Sequence, residues 1–313
     1  MTLKKYQTMK NYILTIGTLL FLISCGKSEK SIESEKSQNK FTVNLEESEI
    51  KEVETTIYNY ENDSDFSREL DLALLAKVAS NLKIKYEDIT IDNSSSITYN
   101  NKITFFVVSY KADTKEKGPG INDEIDNYFE RKYLFVNKSD GKILDQELDK
   151  NLCFFDDEVG QPSKTYIFKN LIQLNETTNG IGLSTEFSSG SRIGLWSEQK
   201  FTIITLVNNK IKKLLYEYPM RKTQGESNVG GSFQMEVLET AISVSNKKTN
   251  GFFDLKVAKT FSYEEEVEED LENGIEGKVA PVKIKKEAER IQYNGSIYSF
   301  KADDKYRFLL DYN

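Results

Sequence analysis

Five Asn-Asn, Asn-Gly or Asp-Gly pairs divide this chain: Asn100-Asn101, Asp140-Gly141, Asn208-Asn209, Asn250-Gly251 and Asn294-Gly295. Each lies between runs rich in Tyr, Phe, Ile and Val. Such pairs accept the positive φ angles of tight hairpins, and strands joined by so short a connection can only run antiparallel. Only four prolines occur in 313 residues, so little interrupts the hydrogen-bond ladders. From about Thr165 onward the pattern reads as antiparallel β throughout, in a sandwich or meander.

Register sharpens two of these turns. A two-residue turn at Asn294-Gly295 sets Tyr293 against Ser296, Ile291 against Tyr298 and Glu289 against Phe300. Ile291, Tyr293, Tyr298 and Phe300 then share one face. Arg290, Gln292 and Ser299 take the other, with Ile297 the exception. The same construction at Asn208-Asn209 pairs Leu206 with Ile211, Ile203 with Leu214 and Phe201 with Tyr216. Both faces of that hairpin are apolar, so it belongs between two layers.

One amphipathic helix is predicted over 66–82. Phe66, Leu70, Leu74, Val78 and Leu82 recur every fourth residue, Leu75 widens the stripe, and Arg68, Glu69 and Lys77 lie opposite. Asn62, Asp63, Ser64 and Asp65 precede it as capping candidates. The stripe is too short for a coiled coil and calls for packing on the protein's own sheet. The expected class is therefore α+β, β-dominated, with an α+β region over 41–160 and an antiparallel β region over 161–313. The boundary rests on the turn-like Gly160-Gln161-Pro162-Ser163. The helix, the hairpin at Asn100-Asn101 and the strand-turn from Tyr133 to Leu144, through Asp140-Gly141-Lys142, resemble the order of elements in PepSY-type domains. That resemblance covers under a third of the chain and implies a fold, not a function.

At the start of the chain Lys4, Lys5 and Lys10 precede an apolar run from Tyr12 to Ile23, followed by the small Ser24 and then Cys25. A membrane-spanning helix needs about 20 apolar residues, more than this run supplies. Leu22-Ile23-Ser24-Cys25 resembles the lipobox of bacterial lipoproteins. The resemblance implies a signal peptide over 1–24 and a lipid on Cys25, the first residue of the mature chain. Met9 offers a second start. Residues 25–40, dominated by charge and serine after Cys25, read as a disordered tether. Gly26 is not the aspartate of the inner-membrane retention signal in the proteobacterial family, so the resemblance implies the outer membrane. Acyl chains at Cys25 would be the membrane attachment, since no later stretch is apolar enough to span.

Removing 1–24 leaves 289 of the 313 residues, ample for a real core without disulfide staples. Cys153, within Leu152-Cys153-Phe154-Phe155, is the one other cysteine and reads as a small buried hydrophobe. The chain contains no histidine, which removes Ser-His-Asp and Cys-His relays, HExxH sites and His-ligated zinc. No phosphate loop occurs, and Gly180-Ile181-Gly182 lacks the third glycine of a dinucleotide fingerprint. No cofactor is expected, and no nucleotide. The net charge of −8 speaks against nucleic acid.

Three charged clusters carry little chemistry. The run Glu264-Glu265-Glu266-Val267-Glu268-Glu269-Asp270 lacks the alternating ligands of a calcium loop and reads as a solvated loop. Adjacent acids at Asp156-Asp157-Glu158 cannot easily stand about 5–10 Å apart across a cleft, as glycoside hydrolysis requires. Asn137-x-Ser139-Asp140-Gly141 puts Val136 at the first ligand position of an EF-hand, so it fails. Trp196, the only tryptophan, lies in Gly- and Ser-rich sequence. With Arg192 and Tyr218 it is the best candidate ligand surface, although such a ring can equally plug a sheet edge. Three functional readings follow, in this order: a non-catalytic envelope lipoprotein binding a protein or glycan partner, a carboxylate-based hydrolase acting on glycan, and an immunity or inhibitor lipoprotein against an envelope toxin.

Overall fold

The computed structural model describes residues 57–58, 66–67, 69–112, 128–149, 154–155, 164–188, 193–228, 231–269, 276–302 and 305–309. All belong to the compact unit Leu45–Asn313. Cys25, the predicted signal peptide and tether, Cys153, Asp156-Asp157-Glu158, the 160–163 boundary and Arg192 lie outside the described residues.

The molecule is β-dominated and its sheets are antiparallel. In chain order the elements are β1 (Ile57–Tyr58), β2 (Phe66–Ser67), α1 (Leu72–Leu82), β3 (Ser95–Thr98), β4 (Ile103–Lys111), β5 (Tyr128–Asn137), β6 (Ile143–Leu148), β7 (Phe154–Phe155), β8 (Lys164–Phe168) and β9 (Ile172–Gln173). They continue with β10 (Asn179–Ser188), β11 (Gly194–Val207), β12 (Lys210–Ser227), β13 (Phe233–Thr249), β14 (Phe252–Val267), β15 (Lys278–Val279) and β16 (Lys283–Ile291). The larger sheet runs β15-β14-β13-β12-β11-β10-β8-β2, with β1 on β13, β9 on β10 and β16 on β14. The smaller runs β3-β4-β5-β6, with β7 on β5.

Strand β4 is apolar on both faces because both are covered. Phe106 and Val108 meet Leu74, Leu75, Val78 and Ala79 of α1. Phe105 and Val107, with Tyr133 and Phe135, meet Ile167, Ile181, Leu183 and Ile204 of the larger sheet. That larger sheet also folds over on itself. Strands β12 and β13 pair only between Arg221–Ser227 and Phe233–Glu239. In the rest of their length a further core forms, where Phe201, Ile203, Leu215 and Tyr218 meet Ile242, Leu255, Val257, Ile291, Tyr293 and Tyr298.

Several expectations are corrected. The helix begins at Leu72, not Phe66, because Asp71 is the N-cap and its Oδ1 accepts from Leu74 N at 2.9 Å. Phe66 belongs to β2, its ring 4.7 Å from that of Phe168. At Asn208-Asn209 both residues have positive φ and Leu206 faces Ile211 as predicted, but bulges then shift the register. Ile203 pairs with Leu215 and Phe201 with Tyr218. One irregularity is visible at Glu217, whose φ is 53° and whose N–H donates to Thr202 Oγ1 at 3.1 Å. Tyr216 is thereby turned outward and Tyr218 inward.

At Asn294-Gly295 the loop has four residues, not two. Asn294 Oδ1 accepts from the N–H groups of Ser296 and Ile297, both at 2.9 Å, and Tyr293 bridges to Tyr298. Ile291 stays in β16, opposite Leu255. Ile297, the exception in the predicted alternation, is an exposed loop residue. The acidic run is also partly strand: Glu264, Glu265 and Glu266 lie in β14 opposite Met235, Gln234 and Phe233, where ladder pairing outweighs their low β-propensity. Among the described residues no helix is long and apolar enough to cross a membrane.

Candidate ligand surface

Trp196 stands near the start of β11 with 38% of its surface exposed. Tyr218 does not share that surface. It is 1% exposed, its ring is 4.7 Å from that of Phe300 and lies under Lys259, and its hydroxyl donates to Glu289. Trp196 pairs with Gln224, whereas Tyr218 pairs with Phe201, five residues along β11 or about 17 Å away. The bulges that carry Tyr218 into the core explain why its grouping with Trp196 fails.

Directly paired residues share a face, so register maps the surroundings of Trp196. One row runs Trp196, Gln224, Glu236, Tyr263, Lys283 across β11, β12, β13, β14 and β16; the next runs Glu198, Lys222, Leu238, Phe261, Lys285. Part of this face is covered by residues 305–309. Glu236, with no exposed surface, accepts from the backbone N–H groups of Arg307, Phe308 and Leu309 at 2.5, 2.8 and 2.7 Å. The Arg307 guanidinium donates from Nε to Glu287 Oε1 at 2.7 Å and from Nη2 to Glu287 Oε2 at 3.0 Å, and it stacks 4.5 Å from the Phe261 ring centre. Phe308 approaches Tyr263, and Lys222 lies over Tyr306. The Arg307 hydrogen bonds, with Lys285 adding to them, hold the Glu287 carboxyl at about 2 against a usual value near 4.5.

The sequence reading missed Glu236, Glu287 and Arg307. Their signals were present but faint: a lone carboxylate among the apolar residues of Met235-Glu236-Val237-Leu238, and an Arg set before Phe308 and Leu309.

Two other polar features are tied into the fold. Arg131, fully buried between the sheets, donates to Ser109 Oγ at 2.9 Å and to Thr165 Oγ1 at 2.8 Å, and Thr165 meets Thr185 at 3.0 Å. Beside them Asp149 binds Lys213 at 3.3 Å. Burial, followed by the charge of Asp149, pushes the Tyr133 hydroxyl well above its ordinary value. This network links the smaller sheet to the larger one. A cavity of about 90 Å³ is lined by Phe66, Tyr166, Glu186, Glu198, Gln199 and Arg221, among others. Small-molecule sites usually measure about 300–1,000 Å³, so this one accommodates a few waters. No group of three or more Cys, Asp or Glu side chains among the described residues is placed to hold a metal ion.

Comparison with protein families, with characterised proteins and with solved structures finds no match.

Proposed function

We propose that this chain is a lipid-anchored protein of the bacterial cell envelope, attached to the outer membrane through Cys25, that binds a protein or glycan partner without transforming it. The anchor rests on the lipobox resemblance of Leu22-Ile23-Ser24-Cys25. The binding role rests on one observation: an aromatic ring, Trp196, held half-open on strand β11 beside the polar Gln224. A partly exposed indole, apolar in its rings and polar at its N–H, suits stacking against a sugar or a peptide plane. The hydrolase reading is weaker. Glu186 and Glu198 do line one cavity, but its size admits no sugar ring, and Glu198 is joined to Lys200 at 3.4 Å. Within this reading, α1 and the smaller sheet belong to the α+β region over 41–160, which also lends β1 and β2 to the larger sheet, and the remaining strands of the larger sheet belong to the β region over 161–313.

Because Trp196 is the only tryptophan, its emission reports on this surface without a label. Titrating the full-length chain in detergent with peptidoglycan fragments, envelope oligosaccharides and peptides should shift that emission to the blue for one class. Trp196→Ala should weaken binding at least tenfold and leave the melting temperature unchanged. A Trp196→Ala chain that simply unfolds would assign the ring to packing. Glycan turnover lost on substitution of Glu186 or Glu198 would make the protein a hydrolase.

A further inference from the structure

The segment 305–309 lies on the sheet face without joining the sheet. Its three successive N–H groups go to one side-chain carboxylate, Glu236. Three consecutive N–H groups reach one carboxylate because the backbone bends at Arg307 and Phe308, so this contact selects a bent backbone rather than particular side chains. Sequence enters through Arg307, which a planar, two-point bond to Glu287 and a stack on Phe261 together recognise. Phe308 beside Tyr263 adds an apolar contact. The face is also longer than its cover. In the row that contains Glu236, Trp196 stands two strands away, about 10 Å, and remains exposed.

We infer that this face is a peptide-recognition site, that segment 305–309 occupies it in cis, and that its partner is a peptide that takes up the same bend, carries arginine followed by large apolar residues, and displaces the segment. Charge complementarity supports that choice of occupant. Two carboxylates, Glu236 and Glu287, point at the segment and are met by backbone N–H groups and by a guanidinium. The exposed Trp196 side of the face accommodates the remainder of a longer ligand. This inference rests on the binding reading above and narrows the partner to a peptide.

The test uses the full-length chain in detergent and the fluorescein-labelled, end-capped pentapeptide Lys-Tyr-Arg-Phe-Leu, followed by anisotropy. Arg307→Ala loosens the cis segment and should bind the peptide at least tenfold more tightly than wild type. Adding Glu287→Gln to Arg307→Ala should abolish that gain, as should replacing the peptide's arginine with alanine. In the wild-type chain, excess peptide should speed hydrogen exchange at the amides of residues 307–309, a readout that requires no variant. The inference is overturned if the peptide leaves those amides unchanged. It is also overturned if Arg307→Ala binds no better than wild type, or if it forms a dimer that exchanges segments and ignores the peptide. A Trp196 emission shift with glycan, together with amides of 307–309 that the peptide leaves unchanged, would leave a binding function standing and remove this assignment.

Discussion

Glu236 and Glu287 meet the same segment by different chemistry, and pH separates them. Glu287 is ionised down to about pH 2 in the folded protein because Arg307 bonds both its oxygens. In the unfolded chain it titrates near its usual value, about 4.5. A depressed carboxylate stabilises fully above the unfolded value and loses that contribution as pH falls toward the folded one. The stability difference between wild type and Glu287→Gln should therefore be constant from pH 7 to about pH 5, then shrink toward pH 2, in urea titrations. A difference that stays flat to pH 2 would show that the Arg307 bond contributes nothing to folding. Individual side chains were legible only where the local pattern decided them. For Trp196 the Gly- and Ser-rich sequence leaves two readings open, an exposed ring or a plug at a sheet edge, and in the structure 38% of its surface is exposed. Tyr218 was misplaced because its burial depends on a bulge at Glu217, which leaves no mark in the alternation of apolar and polar residues.

At the scale of elements, Gly225 is the most demanding position. A Cβ there would stand 2.2 Å from Gln234 O and 2.8 Å from Met235 Cα, both backbone atoms of the neighbouring strand. Neither can rotate away, so the strands must separate. Gly225→Ala should cost about 2 kcal/mol in urea denaturation and disturb the stretch where β12 and β13 meet. At Gly295 nothing lies within 4 Å, and a Val would be resisted only by its φ of 98°. Turns set by backbone chemistry were readable: Asn208-Asn209 and Asn250-Gly251 have the positive φ expected of them. The loop at Asn294 was not, since the Asn side chain binds two N–H groups ahead of it and stretches a two-residue turn to four. Phe66 matched the helical stripe by spacing alone, while its tertiary partner Phe168 lay a hundred residues away.

Across the whole molecule, the β-dominated antiparallel class followed from turn pairs and β-rich runs, whereas the meeting of the two sheets did not. No local signal links Phe105 or Tyr133 to Ile181 and Leu183, because each is simply an apolar residue in an apolar strand. That shared core, together with the buried Arg131 that bonds Thr165 across it, predicts cooperative unfolding. Strand content by circular dichroism and Trp196 emission should follow one urea transition with one midpoint. Separate midpoints for the two probes would mean that the sheets fold independently.

The core inside the folded-over larger sheet draws on Phe66 near one end of the described chain and on Tyr293 and Tyr298 near the other. Its hairpins zip up between neighbours in sequence, but their apolar faces have no lid until residue 298 has left the ribosome. Throughout synthesis, then, the nascent chain presents half-made sheet to its surroundings, with the exposed apolar surface and unpaired edges that favour aggregation. If the proposed export takes place, the same delay would ease it, since a chain whose core closes only with residue 298 need not first be pulled apart to pass a translocation pore.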